Sequence, residues 1–502
     1  MLKNFENIKS FGQLKSNGYK SLSIKDEMRE NLINLLKKGN KTFDGIIGYN
    51  DTVIPDIQTA ILSRHNIILL GLRGQAKTRI ARMMINLLDE FIPVIADSEI
   101  NDDPFHPISR FGKDIIEELG DDTPISWIGR DERYTEKLAT PDVTIADLIG
   151  DVDPIKAASL KLHYSDERVI HFGLIPRSHR GIFVINELPD LQARIQVALF
   201  NILQEKDVQI RGFKIRLPLD VQFVFTANPE DYTNRGSIVT PLKDRIDSQI
   251  LTHYPKTISD SKKITNQEVR LTKNQISDIV VPELLENLIE QIAFTARESE
   301  YVDSKSGVSA RLTISAYENL ISSAERRMLI NNEKKTYVRV SDLTSIIPSI
   351  TGKIELVYEG ELEGPVKVAQ ILISKAIRQM FLQLFPNPEN IKKKNMDNPF
   401  QPITLWFGNG NSVDILTDIS AEKYKEVLNS VPHLASFVEK FHPDLDEKLK
   451  LLMMEFALHG LAEFSLISKH HLEFGNRFED MFSSMFSQSS YDEDINEDES
   501  YP

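Results

Sequence analysis

The chain has no cysteine, which removes disulfides, thiolate metal sites and cysteine nucleophiles from consideration together. It also lacks an uninterrupted apolar run of the roughly 18 to 20 residues that a membrane-spanning helix needs. The start, MLKNFENIKSFGQLK, is polar and has no apolar signal core, so the expectation is a soluble, cytoplasmic protein. Positive charge is in deficit: 59 basic residues face 74 acidic ones, a net charge of −15. That balance disfavours general attraction to nucleic-acid phosphates and favours protein partners, although a local basic channel stays open.

What is present is length and pattern. A chain of 502 residues is too long for one compact core, and three or so domains of ordinary size are expected. The run Ile67-Ile68-Leu69-Leu70 opens into GLRGQAKT at 71–78, close to the phosphate-loop pattern G-x-x-x-x-G-K-[ST]. In such a loop the backbone of Gly71, Leu72, Arg73, Gly74, Gln75 and Ala76 turns its N–H groups toward phosphate oxygens. Lys77 reaches the outer phosphates and Thr78 ligands Mg²⁺. A helix from Thr78 onward adds its positive end beneath them. Ala76 stands where a second glycine is usual, and its methyl group is tolerable if that residue is already helical. ATP or GTP binding follows.

The chain divides by pattern. Residues 1–40 read as a helical lead-in, with Met28, Leu32, Leu35 and Leu36 near one face and a stop at Gly39. Residues 41–256 read as a three-layer α/β domain with a parallel sheet. There the short apolar runs IPVIA (92–96), IFVIN (182–186) and VQFVFTA (221–227) are strands, and helical spacing lies between them. From 257 to 350 the apolar spacing is helical and predicts an all-α lid. Residues 351–487 form a further, α-rich region of unknown role, in which TLWFG and SVDIL are candidate strands. The tail from 488 to 502 holds six acidic residues and no basic one, and reads as disordered.

Four further stretches carry chemistry. RGIFVINELPDL places Glu187 at the end of a buried strand as a candidate general base, and Asn186 where an Asp would usually hold the metal. An amide keeps an acceptor oxygen but brings no charge, so weaker metal binding and slow hydrolysis are expected. TANPEDY places Asn228 at the end of the next apolar run, where an amide orients the attacking water. TPLKDRID offers Arg245 to a neighbouring subunit's phosphate, and GVSARLT offers Arg311 from the lid.

Taken in order along the chain, these elements resemble an AAA+ ATPase. The resemblance implies Walker A at 71–78, Walker B at Asn186 and Glu187, sensor 1 at Asn228, an arginine finger at Arg245 and sensor 2 at Arg311. FDGIIGY, with Ile47 and Tyr49, resembles the family's adenine-contacting entry. The stretches LATPDVTIADLIGDVDPIKAA, HFGLIPRSHRGIFVINELPDL and TANPEDYTNRGSIVTPLKDRI are similar to the ATPase subunit of magnesium chelatase and to MoxR-type ATPases. Both groups carry a helical insert before the Walker B strand, and Ala76 fits MoxR-type loops. The resemblance covers residues 42–320 and implies ATP and Mg²⁺ as cofactors and a self-assembled ring, expected to be a hexamer. It also implies a partner with a von Willebrand factor type A domain, and protein remodelling or metal insertion as output. A magnesium chelatase motor subunit and a nucleotide switch with little turnover are the competing readings. A sigma-54-type transcriptional activator is disfavoured by the lack of a GAFTGA-like loop. His459, His470 and His471 read as core or solvated histidines, and Lys392-Lys393-Lys394 as a solvated loop.

Overall fold

The computed structural model describes residues 7–163, 166–205, 207–208, 210, 217–228, 237–394, 398–472 and 474–481. They fall into two compact units, Met1–Tyr254 and Pro255–Pro502.

The first unit is built on five parallel strands: β1 (Ile67–Leu70), β2 (Tyr134–Leu138), β3 (Gly181–Asn186), β4 (Val221–Ala227) and β5 (Ser248–Leu251), in the order 5-1-4-3-2. Every residue of β1, β3 and β4 is buried. That explains their continuous apolar runs, since a strand covered on both faces needs no polar alternation. Period-two geometry sorts the side chains into two cores. Ile67, Leu69, Ile182, Val184, Val224 and Ile250 pack with the helices α1 (Ile24–Lys37), α2 (Val53–Leu62) and α3 (Lys77–Met83). Ile68, Leu70, Phe183, Ile185, Phe223 and Phe225 pack against α4 (Ala193–Glu205) through Ile195, Leu199 and Ile202. Helices on both faces of a parallel sheet give the three layers expected from the sequence.

The lead-in is part of this core: Met28 and Leu32 are fully inside, Leu35 packs at the edge, and Leu36 is exposed. The strand at IPVIA forms over Phe91–Ile95 but does not join the parallel sheet. It pairs antiparallel with Ile125–Gly129, to which the N-terminal segment adds Trp127 Nε1 donating to the Ile8 carbonyl at 3.0 Å. The segment between β2 and β3 contains the short helices Ile145–Leu148 and Pro154–Leu160, and also an antiparallel ribbon, Gly150–Val152 with Ile170–Phe172.

The second unit is mostly helical. Its longest elements are α5 (Glu283–Arg297), α6 (Arg311–Ile330), α7 (Pro365–Leu384) and α8 (Glu447–Glu463). Residues from both the 257–350 and the 351–487 segments feed one continuous apolar cluster, from Ile279 to Phe478. TLWFG is not a strand; it lies in a helix, Gln401–Gly408. The burial pattern gives the reason: Ile403 and Phe407, one helical turn apart, are buried, while Leu405 between them is exposed. SVDIL does form a strand, Val413–Leu416, in a three-stranded antiparallel sheet with Ser468–Leu472 and Gly475–Glu479. The acidic tail lies outside the described residues.

Candidate functional site

The carboxyl ends of β1, β3 and β4 lie side by side, because β4 is hydrogen-bonded to both of the others. The helices that follow β1 and β3 pack on opposite faces of the sheet. Their connections therefore part around a crevice at the strand ends, where open α/β sheets bind ligands.

The loop after β1 is shaped by its neighbours. A Cβ on Gly71 would lie 1.9 Å from Thr252 Oγ1 and 2.1 Å from Gln75 Oε1, so only glycine fits there. Those two atoms are themselves bonded at 2.7 Å, tying the loop to the end of β5. Gly74 has φ of +74°, the left-handed conformation that glycine adopts without strain. Ala76 corrects an expectation. It is not helical but left-handed (φ 58°, ψ 14°), capping α3 while its carbonyl accepts the first helical bond from the Ile80 N–H at 2.9 Å. The loop wraps so tightly that its last residue before the helix must take a positive φ, at a cost of about 1 kcal/mol for a residue with a Cβ. Ala76→Gly is thus expected to raise the thermal midpoint of this unit by about 1 to 3 °C, part of the relief being offset by added chain entropy. A lowered midpoint in calorimetry would show that the methyl group's packing outweighs the strain.

Lys77 Nζ donates to the carbonyls of Gly71 and Leu72, the latter at 2.9 Å, and to Asn228 Oδ1 at 2.7 Å. The structure therefore brings together the phosphate-loop lysine and the strand-end amide, 151 positions apart. Thr78 follows on the first turn of α3. Tyr49 is buried, and its hydroxyl donates to the carbonyls of Gln75 (3.1 Å) and His253 (2.7 Å); burial pushes its pKa up to about 12, so it stays a donor. It braces the loop from behind, and Ile47 lies half-buried two residues before it.

At the end of β3, Asn186 is buried and both ends of its amide are engaged. Oδ1 accepts from Thr226 Oγ1 at 3.0 Å and Nδ2 donates to Glu136 Oε1 at 2.6 Å. Thr226 Oγ1 also accepts the Glu187 N–H at 3.2 Å, so one buried hydroxyl on β4 fixes both residues. Glu187 is left-handed (φ 56°, ψ 50°), a strained state for a residue with a side chain that persists only where its surroundings hold it. Glu136, on β2, receives two bonds from Arg82 (2.8 and 3.0 Å) and one from the Tyr134 hydroxyl (3.1 Å). Burial raises the Glu136 carboxyl, but the bonds from Arg82, Tyr134 and Asn186 outweigh it and hold it below the ordinary range. Sequence reasoning misses Glu136 and Thr226. The first sits in the polar run DERYTEKL, and the second is one hydroxyl inside an apolar strand. The donor types at hand, a threonine hydroxyl, an amide oxygen and a carboxylate, are the hard oxygens that Mg²⁺ prefers.

Arg245 lies before β5, at the end of the sheet opposite the phosphate loop. Its guanidinium bonds Gln204 Oε1 (2.9 Å) and the Pro241 carbonyl (2.7 Å) and sits over the Phe200 ring. Arg311 begins α6 in the second unit and is exposed. No group of three side chains among the described residues could hold a metal through His, Asp or Glu alone. His459 is buried against Phe478, and His470 pairs with Glu479 at 3.1 Å.

The parallel sheet with helices on both faces, the glycine-containing loop after its interior strand β1 and the polar residues at its strand ends make an α/β domain of the kind that binds ligands at its strand ends, followed by a helical region. Residues 163–249 match the model of the Sigma-54 interaction domain. That span takes in Asn186, Glu187, Asn228 and Arg245 and stops short of the second unit. Among solved structures, the chain is similar to a protein provisionally named as an ATPase from Cytophaga hutchinsonii (18% identity, covering 70% of this chain and 96% of that one, TM-score 0.29). It is also similar to NtrX from Brucella abortus (12% identity, 71% and 67%, TM-score 0.32). A third similarity is to the complex of the BchI and BchD subunits of magnesium chelatase (17% identity, 64% and 98%, TM-score 0.33). No helix among the described residues is long and apolar enough to cross a membrane.

Proposed function

We propose that this chain binds and hydrolyses Mg-ATP in a ring of like subunits, as an ATPase of the MoxR and magnesium chelatase group. The ring would work by remodelling a partner protein or driving metal insertion. The observation that carries the reading is the bond between Lys77 Nζ and Asn228 Oδ1, made at the strand ends beside Asn186 and Glu187. A γ-phosphate entering the loop would exchange with these acceptors for the ammonium and so report its presence to Asn228. In this scheme Gly71 to Thr78 hold the phosphates, Thr78 and Asn186 face the metal, and Glu187 takes the proton of the attacking water. A Mg²⁺ held there would supply positive charge to neutralise the phosphates. Ile47 and Tyr49 line the approach of the adenine. Arg245 sits at the sheet end remote from its own phosphate loop, which suits a finger offered to the next subunit, and Arg311 is the lid's candidate contact. The resemblance of the sequence to the magnesium chelatase and MoxR groups brings with it a partner carrying a von Willebrand factor type A domain, and the net charge of −15 supports a protein rather than a nucleic-acid client.

The test is ATP binding and phosphate release by the purified chain beside Lys77→Ala, with particle size followed by sedimentation. Removing the ammonium should weaken ATP binding by about 100-fold, the equivalent of about 2.7 kcal/mol for charge-assisted bonds to phosphate. Equal affinity in the variant would refute the site. Tight binding with no phosphate release in the parent would leave a nucleotide switch in place of a motor.

A further inference from the structure

The weakest point of the site as a magnesium centre is the missing charge at Asn186, and the structure holds a carboxylate against that amide. Glu136 and Asn186 lie on adjacent parallel strands. Glu136 is in register with Val184, two residues before Asn186, so the two side chains share a face. That face is the one covered by α3, because Val184 packs with Ile80 and Met84. The contact is direct, Asn186 Nδ2 to Glu136 Oε1 at 2.6 Å. Arg82 Nε donates to the other carboxylate oxygen, Oε2, and Arg82 Nη2 shares Oε1 with Asn186. Arg82 stands four residues after Thr78 on α3 and so on the same side of that helix, one turn along. Glu136 is therefore lodged between the end of β3 and the Thr78 face of α3, the two elements that meet a metal bound to phosphate in this class of site.

Resting on the Mg-ATP reading above, we propose that Glu136 supplies the carboxylate charge at the metal site, and that residue 186 is an amide because Glu136 stands against it. A second carboxylate at 186 would place two acceptors in a contact that now needs a donor, and like charges at that range cannot both ionise freely. The amide converts the clash into a hydrogen bond, and the charge has moved one strand over. Arg82 holds Glu136 until a cation competes for it. The Arg82 side chain is 64% exposed and that of Glu136 21% exposed, so water can take up the released guanidinium while the cation replaces its charge at the carboxylate.

The experiment is a charge exchange read by metal and nucleotide binding rather than by turnover. Binding of a fluorescent ATP analogue is measured in EDTA and across a Mg²⁺ titration, and Mn²⁺ occupancy with ATP is followed by electron paramagnetic resonance. The proteins are the parent chain, Glu136→Gln, and Glu136→Gln with Asn186→Asp. Glu136→Gln should weaken metal binding by about 10- to 100-fold, the range for altering groups around a metal site, while binding in EDTA is retained. The double variant returns one carboxylate to the pair, with the amide introduced at position 136 as donor, and should recover most of the loss. It also carries the test if Glu136→Gln fails to fold, because it preserves both the charge and the hydrogen bond. A Glu136→Gln protein with parental Mg²⁺ and Mn²⁺ dependence overturns the proposal and leaves the ATPase reading standing. A double variant no better than Glu136→Gln also overturns it. A parent chain that binds no nucleotide in either condition overturns both.

Discussion

Replacing Glu187 with Gln is expected to lower ATP turnover by about 10²- to 10⁴-fold while leaving ATP affinity within a few-fold of the parent, the usual contribution of a positioned general base. The expectation rests on the proposed hydrolytic role and on how rigidly the backbone is set there. Glu187 leaves β3 in a left-handed conformation, with its N–H bonded to the Thr226 hydroxyl that also holds Asn186. Glutamine has the same length and the same backbone preference, so the variant keeps the strained turn and loses only the capacity to take a proton. In the proposed site binding rests elsewhere, on the Gly71 to Thr78 loop and the Lys77 ammonium, which Glu187 does not touch in any described hydrogen bond. The variant should accumulate with ATP bound, visible as a retained nucleotide after gel filtration and as a missing phosphate signal in a coupled assay. Parental turnover in Glu187→Gln would remove Glu187 from the mechanism and shift attention to Glu136 as the nearest described carboxylate on the sheet.

The parts of this site that can be read in the sequence are those where one physical demand dominates a short stretch. Strands β1, β3 and β4 are buried on both sides and must be apolar throughout, so IILL, IFVIN and VQFVFTA stand out, and the phosphate loop begins where the first of them ends. Strands β2 and β5 lie at the two edges of the sheet and carry Thr135, Glu136, Lys137 and Gln249. Their side chains satisfy solvent, ion pairs and packing at once, which leaves no period to detect. For the same reason nothing in the sequence marks Glu136. Its importance comes from register with Val184 and from Arg82 across the helix face, both of which are long-range facts. Phe91–Ile95 is recognisable as a strand but not as an antiparallel one, because its partner, Ile125–Gly129, is set by the fold and not by its own residues. Ala76 shows a converse limit. Its identity suggests a helical residue, and the loop's closure on Thr252 and Gln75 imposes a left-handed one.

Breaking the buried ion pair of the second unit is expected to have the largest effect on stability. Arg327 and Asp342 are each about 1% exposed and directly bonded. Arg327 Nη2 also donates to the Tyr337 carbonyl at 2.7 Å, and Asp342 Oδ2 accepts the Arg339 N–H at 2.7 Å. Arg339 stacks on the Tyr424 ring at 4.1 Å, and the Tyr424 hydroxyl donates to Glu455 at 2.7 Å. Glu455 in turn accepts the Val340 and Ser341 N–H groups at 2.9 and 2.8 Å. This chain of polar contacts ties α6 to α8 through the turn that contains Asp342, and so joins the 257–350 segment to the 351–487 segment. Asp342→Ala leaves a guanidinium in the interior without its counter-charge, at a cost of about 3 to 5 kcal/mol. For a unit of this size that corresponds to a fall of roughly 6 to 20 °C in its thermal midpoint. Arg327→Met with Asp342→Leu removes both charges and should recover much of the loss, since the penalty lies in the unpaired charge and not in the absence of the pair. Calorimetry separates the outcomes. If Asp342→Ala costs less than about 1 kcal/mol, water reaches Arg327 and the pair is not the fastening it is argued to be. If the double replacement is as unstable as the single one, the unit depends on the hydrogen bonds of the network, and the polar chain from Arg327 to Glu455 is what holds its helices in place.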